Sequence, residues 1–452
     1  MAGGTFDKLA GKVRPGSYIN FESTRQDTIG ISERGTVLLP LINHDYGPSK
    51  EFITISNGSP DGNIDKLGYS VYDSHPNMLL IREALKNAKE VIVYIPKQGA
   101  RATGTAGELT VTAKYGGSRG NAIRFSVTAN PTEGFDVSVY LEADTVSTFE
   151  GVKDIEALIA AGSDWVDFSG SGELTAAPGV SLTGGADGSA TNADITAFLD
   201  AAEGIKWNTL AFPVDATGEA EGDNSAALHE AVKTKIKYLR EDVGKYRKAV
   251  VPNFKADYEG IINVTNGVVL NDGTSLTPAQ AAAWIAGVDA GASNTKSNTY
   301  AKYSGATGIV DQKNHAEAVA AINGGEFFFS FSEAGDVVVE YDINSLVTFN
   351  KPKDKTYRKN RVLRVFDTFA ESVMLNFPPN KYDNNPLGWN VMEGIGRTLL
   401  KQFEEAGAIK NVDYDNDFLV DRGTSTGDET YFNIGLEPVD SSEKLFFTIK
   451  TR

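Results

Sequence analysis

The chain has 452 residues, with 60 acidic residues against 43 basic ones, a formal net charge of −17 and no cysteine. The negative charge disfavours non-specific binding to nucleic-acid phosphates, and the lack of thiols excludes disulfides and thiolate metal sites. At roughly 150 residues per domain, we expect about three domains.

The chain opens with a glycine-rich N-terminal arm, residues 1–20, which has too few apolar residues to bury itself. The sequence "SYINF" at the end of this arm is typical of a short strand. Residues 21–98 predict the first part of an α/β core, with two buried strands and an amphipathic helix between them. The strands are predicted at 35–43 and 90–96, and the helix at 78–89.

Residues 99–190 differ in composition and are rich in Gly, Ser, Thr and Ala. Within them, residues 107–142 alternate apolar and polar side chains around Gly and Asn turns, which predicts antiparallel strands. We therefore expect an inserted, β-rich domain. Helix and strand patterns return over 191–345, and there Thr277 and Gln280 have the spacing of a capping box at a helix start.

Residues 346–452 predict a C-terminal domain with two amphipathic helices, the second over 388–406. Its last part, about 436–452, is predicted to be a strand-forming arm. The alternating apolar residues of this arm are Leu445, Phe447 and Ile449. The predicted fold class is therefore α+β and multidomain: a mixed α/β core, an inserted small β domain, and extended strand-forming N- and C-terminal arms.

Motifs for catalysis are weak. "GGSRG" (116–120) matches G-x-S-x-G with Ser118 at the nucleophile position, but strand patterns on both sides favour a turn. The "GGADG" loop (184–188) lacks the glycine spacing of a phosphate-binding loop. The four histidines are isolated in the sequence, which favours surface or core roles over metal ligation. We expect no enzyme, cofactor or metal site. The alternative is an α/β hydrolase or nucleotide-binding enzyme that uses Ser118 or the 184–188 loop.

The sequence also bears on location. The N-terminus lacks the apolar run of a secretory signal, and no stretch approaches the ~18 apolar residues of a membrane span. We expect a soluble protein that is made inside a cell and does not insert into membranes. A self-associating surface-layer or adhesin protein would need an export signal, which we do not find.

Both ends of the chain have strand patterns. The apolar residues of the N-terminal strand are Tyr18, Ile19 and Phe21. A lone strand is not stable in water because its backbone N–H and C=O groups are unpaired. The two strands either join sheets of this chain or complete sheets in neighbouring subunits by β-augmentation. In the second case, we expect Gly435 and Pro438 to act as hinges of the C-terminal arm.

A concentrated basic stretch lies within this acidic chain. From Lys351 to Arg364 there are seven basic residues and the single acid Asp354, a local charge of +6. The stretch is either a solvated helix start or a surface that meets an acidic partner, such as another copy of the chain. The candidate contact residues are Lys355, Arg358, Arg361 and Arg364.

The sequence around this stretch, "VVVEYDINSLVTFNKPKDKTYRKNRVLRVFD", resembles a hallmark region of contractile tail sheath proteins. The resemblance is to phages and phage-tail-like bacteriocins, especially the myophage and defective-prophage tails of Gram-positive hosts. Four further pieces occur in the family's order: "RPGSYINF", "GGSRGNAIRFSV", "LTPAQAAAWIAGVDAGASNTKSNTY" and "LEPVDSSEKLFFTIKTR". Together the pieces span nearly the full chain, although "KYDNNPLGWNVMEGIGR" departs from the pattern of many relatives.

The resemblance implies a structural subunit that forms stacked hexameric rings around a rigid tail tube. It implies that the N- and C-terminal arms exchange strands with adjacent subunits. The C-terminal domain would lie inside against the tube, and the inserted domain would face outward. The sheath would contract from a metastable extended state and drive the tube through a target cell envelope.

The partners that the resemblance implies are other copies of the chain, the tail tube protein, and the baseplate and tail terminator proteins. No direct nucleic-acid contact is implied. Assembly would take place in the cytoplasm of the bacterial host, and the product would be a virion tail or a released tail-like particle. Arg397 and Lys401, one turn apart on the predicted helix 388–406, are candidates for a basic stripe that faces the tube.

Overall fold

The structure, a computed structural model, describes residues 30–215 and 225–451. The N-terminal arm with Tyr18, Ile19 and Phe21 therefore lies outside the described residues. The α-helices are α1 (Ile64–Leu67), α2 (Pro76–Leu85), α3 (Ile155–Ala161), α4 (Asn192–Ala201), α5 (Ser225–Glu241), α6 (Pro278–Gly291), α7 (His315–Asn323), α8 (Asn360–Asn376) and α9 (Pro386–Glu405). Short 3-10 helices span Ser118–Ala122, Ala202–Gly204 and Lys355–Arg358.

The strands fall into six sheets within the described residues. The first ten are β1 (Thr36–Pro40), β2 (Phe52–Ser56), β3 (Glu90–Tyr94), β4 (Thr103–Ala106), β5 (Leu109–Ala113), β6 (Ile123–Ala129), β7 (Phe135–Leu141), β8 (Asp144–Val152), β9 (Val166–Ser169) and β10 (Ala177–Ser181). The others are β11 (Thr209–Ala211), β12 (Lys248–Pro252), β13 (Ile261–Val264), β14 (Gly267–Leu270), β15 (Ser275–Leu276), β16 (Ala306–Val310), β17 (Glu326–Phe327), β18 (Phe329–Phe331), β19 (Val337–Val339), β20 (Phe418–Val420) and β21 (Phe432–Ile434).

A seven-stranded sheet of order β17-β13-β12-β11-β1-β3-β2 forms the core. Its neighbouring strands are parallel except for the antiparallel edge pair β2–β3. Successive side chains of a strand point to opposite faces, so both faces are buried. Val37 and Leu39 pack with α2 and α6 on one face, whereas Leu38 packs with α4 and α5 on the other. This arrangement confirms the mixed α/β core, and the capping box of Thr277 and Gln280 is present at the start of α6.

The β-rich insertion forms two antiparallel sheets with the orders β10-β6-β7-β8 and β4-β5-β9. Both sheets contribute to one apolar core, which includes Val111, Phe125, Val139 and Phe168. This core is separate from that of the central sheet. It lies between the two sheets, whose inner faces pack against each other. The prediction of a small β domain within the α/β chain is confirmed.

The C-terminal domain consists of α8, α9 and the hairpin β20–β21, which share a core that includes Phe369, Phe403 and Phe418. Gly407 follows α9 with a φ of +74°, a left-handed conformation that favours glycine and ends the helix. The prediction of a strand over Leu445–Ile449 differs from the structure, because residues 440–450 form no strand in the single chain. A strand needs a pairing partner, and the described part of this chain supplies none there.

None of the helices within 30–215 and 225–451 combines the length and apolar character that a membrane crossing requires.

Candidate assembly surfaces

The end of the C-terminal arm exposes large apolar side chains. Leu445, Phe446, Phe447 and Ile449 are between 65% and 92% exposed. Burying a side chain of this kind contributes about 1.5–3 kcal/mol, so a surface that covered this segment would bind it favourably. Together with its unpaired backbone, the segment has the properties of a strand without its sheet.

The hairpin β20–β21 offers a matching surface. Among the described strands, β21 pairs with β20 alone, so its other edge is open. Next to β21, a groove of about 570 Å³ is lined by Ile434 and Leu436 and by Phe366, Val373 and Met374 of α8. An open edge beside an apolar groove can accept an extended strand, whose backbone pairs with the edge while its side chains fill the groove.

The outer face of α9 holds the two basic residues that the sequence predicted. Lys401 is 63% exposed and lies 3.7 Å from Glu405, whereas Arg397 is half-buried. Both residues line a cleft of about 340 Å³. Earlier on the same helix, Leu387 and Val391 are 75% and 47% exposed. The helix thus presents apolar side chains near its start, and Arg397 and Lys401 followed by Glu404 and Glu405 near its end.

Most candidate contacts of the predicted basic patch at 351–364 are buried in the single chain. Lys355 is exposed, but Arg358 and Arg361 are buried and Arg364 is fully buried. Arg364 lies 2.9 Å from Asp289 and 3.1 Å from Asp342, so its charge is neutralised inside the chain. A buried guanidinium cannot reach a tube or another subunit in this conformation. Of the four candidates, Lys355 alone stays a predicted surface contact.

Arg364 belongs to a buried ionic cluster that joins α8 to the core sheet. Asp289 of α6 pairs with Arg364 and with Lys248 of β12, and Arg34 lies 3.9 Å away. Burial by itself would raise the pKa of Asp289, but these three cations outweigh burial and hold the pKa below its ordinary value. The carboxylate is therefore charged, and it ties together three segments that are far apart in sequence.

Two further ion pairs join α8 to the segment from α5 to β12. Asp367 accepts hydrogen bonds of 3.0 and 2.7 Å from both terminal nitrogens of Arg240, a bidentate arrangement. Arg247 lies 2.6 Å from Glu371. Such pairs fix geometry more than they add stability, because removing their charges from water offsets much of the attraction. Removing one partner is costly, since the other charge is left buried and unpaired.

The structure brings together His44 and His75, which the sequence treated as isolated. His75 lies 3.3 Å from Asp45, and the two imidazole rings are 5.1 Å apart. Ring nitrogens of both histidines already have protein partners: His44 contacts Leu67 O and the Asn77 side chain, and His75 accepts from Asn77 N. The ligand atoms of His44, Asp45 and His75 lie within 4.8 Å of one another, and Asp45 Oδ1 is buried without a hydrogen-bond partner.

The same cluster touches the inserted domain. Arg119 of the 3-10 helix after β5 donates its backbone N–H to Asp45 O at 3.2 Å and its Nε–H to Gly68 O at 3.0 Å. Its guanidinium lies 4.3 Å from the centre of the Tyr69 ring, and Tyr69 donates a hydrogen bond of 2.5 Å to Asp45. The cluster thus helps to hold the inserted domain against the core.

Lowering the pH is expected to reduce the free energy of unfolding, because His44 is buried in its neutral form. Burial lowers the pKa of His44 to about 4, from an ordinary value of 6.5. As the pH falls, the unfolded state binds the proton before the folded state does. The stability that the neutral, buried His44 contributes is therefore fully present above pH 6.5 and is lost as the pH falls to about 4. The free energy of unfolding should therefore drop by about 3 kcal/mol across this window from this group.

Urea unfolding at pH 7 and at pH 4 measures this effect. His44→Gln should lose less stability than the parent between the two pH values, whereas the same change at the exposed His315 should leave the loss unaltered. An equal loss in His44→Gln and the parent would contradict the assignment.

The two enzyme-like motifs lack the context that catalysis requires. Ser118 begins a 3-10 helix between β5 and β6, not a strand-to-α-helix elbow, and its N–H donates to Asp187 at 2.7 Å. Gly185, in the 184–188 loop, exchanges two hydrogen bonds of 2.9 Å with Asn121. The loop is thus packed against the 3-10 helix after β5, and this helix stands where the sequence favoured a β-turn at Ser118.

Four phage tail sheath domains match successive parts of the chain. These are the "Tail sheath protein Gp18 domain III N-terminal region" at 34–94, the "Phage tail sheath protein beta-sandwich domain" at 97–187, the "Phage tail sheath protein central domain" at 188–345 and the "Phage tail sheath C-terminal domain" at 352–452. The second of these coincides with the two-sheet insertion, and the last includes α8, α9 and the arm.

Individual proteins agree with these matches. The phage-like element PBSX protein XkdK of Bacillus subtilis (strain 168) is 36% identical, and the similarity covers all of both chains. The crystal structure of a sheath tail protein from Desulfitobacterium hafniense is 40% identical, covers 95% of this chain and 98% of its own, and has a TM-score of 0.82. The anti-feeding prophage helical sheath in its contracted state shares the fold alone, with 13% identity and a TM-score of 0.57 over 98% of this chain and all of that chain. This chain therefore belongs to the phage tail sheath protein family.

Proposed function

We propose that this chain polymerises as stacked hexameric rings around a tail tube and that its arms link neighbouring subunits by exchanging strands. The observation that supports this proposal is the pair of complementary surfaces on one chain. The arm at 444–451 exposes apolar side chains and an unpaired backbone, while β21 has an open edge beside an apolar groove. Each surface lacks a partner within the described chain, and each would suit the other in a second copy.

The exposure of residues 444–451 in the single chain agrees with exchange between copies. An arm that folded back on its own hairpin would satisfy one molecule, whereas an arm that reaches a neighbour connects two. In the proposed lattice, Tyr18, Ile19 and Phe21 of the N-terminal arm and Leu445, Phe447 and Ile449 of the C-terminal arm are the linking residues. The folded bodies could then rotate while the subunits stay connected.

Contraction follows from this architecture as a transition between two lattices. The extended lattice would be metastable and the contracted lattice lower in free energy, so that no nucleotide is needed to drive the tube through a target envelope. Support comes from the fold that the chain shares with a sheath solved in its contracted state. Exposed ion pairs contribute only about 0.2–1 kcal/mol each, so such contacts can break in sequence during the transition.

The outer face of α9 is the proposed contact with the tube. Arg397 and Lys401 share one cleft, and Leu387 and Val391 extend the same face toward the helix start. Lys355 is a further exposed candidate for a tube or subunit contact. The inserted domain would face outward, and baseplate and terminator proteins would bind the two ends of the stack. Assembly in the cytoplasm of a bacterial host is part of this proposal.

The α9 face gives a specific prediction. Replacing Arg397 and Lys401 together by Glu reverses two charges and should weaken assembly on tubes more than polymerisation without tubes. Co-sedimentation with purified tubes, compared with tube-free pelleting, measures the difference. The matched control is Lys97→Glu with Lys153→Glu, which makes the same charge change at two exposed positions, one just before the inserted domain and one within it. Equal losses in both assays would assign Arg397 and Lys401 to subunit contacts.

Electron microscopy of the expressed protein tests the proposal as a whole. Striated hollow cylinders with sixfold symmetry are expected at concentrations at which the protein pellets. Pelleted material that consists of irregular aggregates, or of sheets without a lumen, would contradict it.

A further inference from the structure

The base of the C-terminal arm is bound to the body of the subunit. Gly435 donates its N–H to Asp417 O at 2.9 Å, Lys410 donates to Glu437 O at 3.0 Å, and Val439 donates to Ala408 O at 2.9 Å. In this conformation, the segment that contains Gly435 and Pro438 is therefore held by hydrogen bonds, and their role as hinges stays a prediction. The C-terminal segment separates from the body of the subunit at a point closer to the C-terminus than Pro438.

Among the described residues, Glu443 is the last that hydrogen bonds or an ion pair hold to the body, and the Lys444 ammonium lies 5.8 Å from the centre of the Tyr341 ring. The Glu443 side chain is 8% exposed and contacts the Lys359 ammonium at the start of α8. One of its oxygens accepts hydrogen bonds of 2.7 Å from both Ser297 and Thr299. These hydroxyls belong to the segment between α6 and β16, so the carboxylate joins the arm to two separate parts of the body. From Lys444 onward every described residue is exposed.

The basic stretch supplies the other contacts of this anchor. Arg361 donates a hydrogen bond of 2.6 Å to Ser441, and Lys359 lies 3.7 Å from Asp440. Arg364 donates to Lys296 O at 2.7 Å and thereby holds the segment that carries Ser297 and Thr299. Three basic residues of this stretch therefore position the base of the arm or the segment that receives it.

We propose that Glu443 is a positioning residue, which clasps the arm to Lys359, Ser297 and Thr299 and so fixes the point from which the free strand departs. This inference rests on the proposed strand exchange between subunits. The clasp leaves eight described residues, 444–451, free to reach a neighbour, which span at most about 26–29 Å when fully extended. Release as far back as Leu436 would double the free length to sixteen residues and about 53–58 Å.

A longer tether weakens the link that it forms. The effective concentration of a tethered strand at its binding site falls roughly as the −3/2 power of tether length once the tether exceeds the span. Doubling the free length therefore lowers the effective concentration about threefold. A longer arm also reaches wrong neighbours, so the clasp selects one partner subunit as well as strengthening the link.

Glu443→Lys tests the inference, because it places a cation against Lys359. In the unassembled subunit, we expect faster hydrogen exchange over residues 436–443 and an unchanged rate in the core sheet. In assembly assays, we expect the critical concentration for cylinder formation to rise at least threefold. The charge-swapped double variant, Glu443→Lys with Lys359→Glu, should restore both values toward those of the parent.

Two controls separate this inference from the proposed function. Glu133→Lys makes the same charge change at an exposed pair with Lys153, away from the arm, and should not raise the critical concentration. Exchange over 436–443 that stays slow in Glu443→Lys, or a swap that restores neither value, would overturn the clasp. Normal assembly of Glu443→Lys would also overturn it, while the proposed function would stand if deletion of 444–452 still stopped assembly. Assembly that survives that deletion would count against the strand exchange itself.

Discussion

Deletion of residues 444–452 is expected to leave a folded subunit that cannot form cylinders. The removed side chains Leu445, Phe446, Phe447 and Ile449 are 65–92% exposed, so the body loses few contacts. Stability should therefore change by less than about 0.5 kcal/mol, as for other surface changes. Thermal unfolding followed by circular dichroism measures stability, and electron microscopy with size-exclusion chromatography measures assembly. Deletion of residues 1–20 is expected to have the same effect on assembly.

Substitutions separate the role of the side chains from that of chain length. Replacing Leu445, Phe447 and Ile449 by Ser keeps the backbone but removes the apolar groups, and it should reduce assembly almost as much as the deletion. The control is Tyr72→Ser, because Tyr72 is 68% exposed on the core domain. This change also removes exposed apolar surface and should leave assembly intact. Regular cylinders formed by the truncated chain would show that the arm does not link subunits.

The second large effect is expected at Asp289. Asp289→Asn keeps the size of the side chain but leaves Lys248 buried without its anionic partner and Arg364 with Asp342 alone. Breaking a buried pair by removing one partner costs about 3–5 kcal/mol. Urea unfolding at neutral pH should show this loss, and α8 should exchange its amide hydrogens faster because Arg364 no longer fastens it to α6.

The matched control is Glu405→Gln. Glu405 and Lys401 are both more than 60% exposed and lie 3.7 Å apart, and such exposed pairs contribute at most about 1 kcal/mol. A loss in Asp289→Asn no larger than that in Glu405→Gln would mean that the buried cluster does not fasten the C-terminal domain to the core.

Sequence patterns predicted the elements that are stabilised by residues close together in the sequence. The spacing of Thr277 and Gln280 predicted a helix start because each side chain caps a backbone N–H within the same turn. The apolar runs 35–43 and 90–96 correspond to β1 and β3, which pair over five residues in the central sheet. Alternation in the insertion was equally informative, since β5 and β7 bury every second side chain.

The basic stretch could not be interpreted from its own sequence. The partners of Arg364 are Asp289 and Asp342, which precede it by 75 and 22 residues, so no local charge pattern reveals that it is buried. Glu443 likewise meets Ser297 and Thr299 across more than 140 residues. The same reason applies to His44 and His75, which come together only because the loop after β1 folds against the start of α2.

The C-terminal arm shows a different limit. Leu445, Phe447 and Ile449 have the pattern of a strand, yet the single chain leaves them exposed and unpaired. The pattern predicts what the segment can form, whereas pairing depends on an edge that a neighbour would provide. This difference is itself the argument for exchange between subunits.

A high-resolution cryo-electron microscopy map of the assembled particle tests the central claim most directly. The account predicts density for residues 444–451 as a strand added to the open edge of β21 in another subunit, with Glu443 still seated against Lys359 of its own body. A map in which both termini of every subunit pack on the molecule they belong to, in all particle forms, would contradict it.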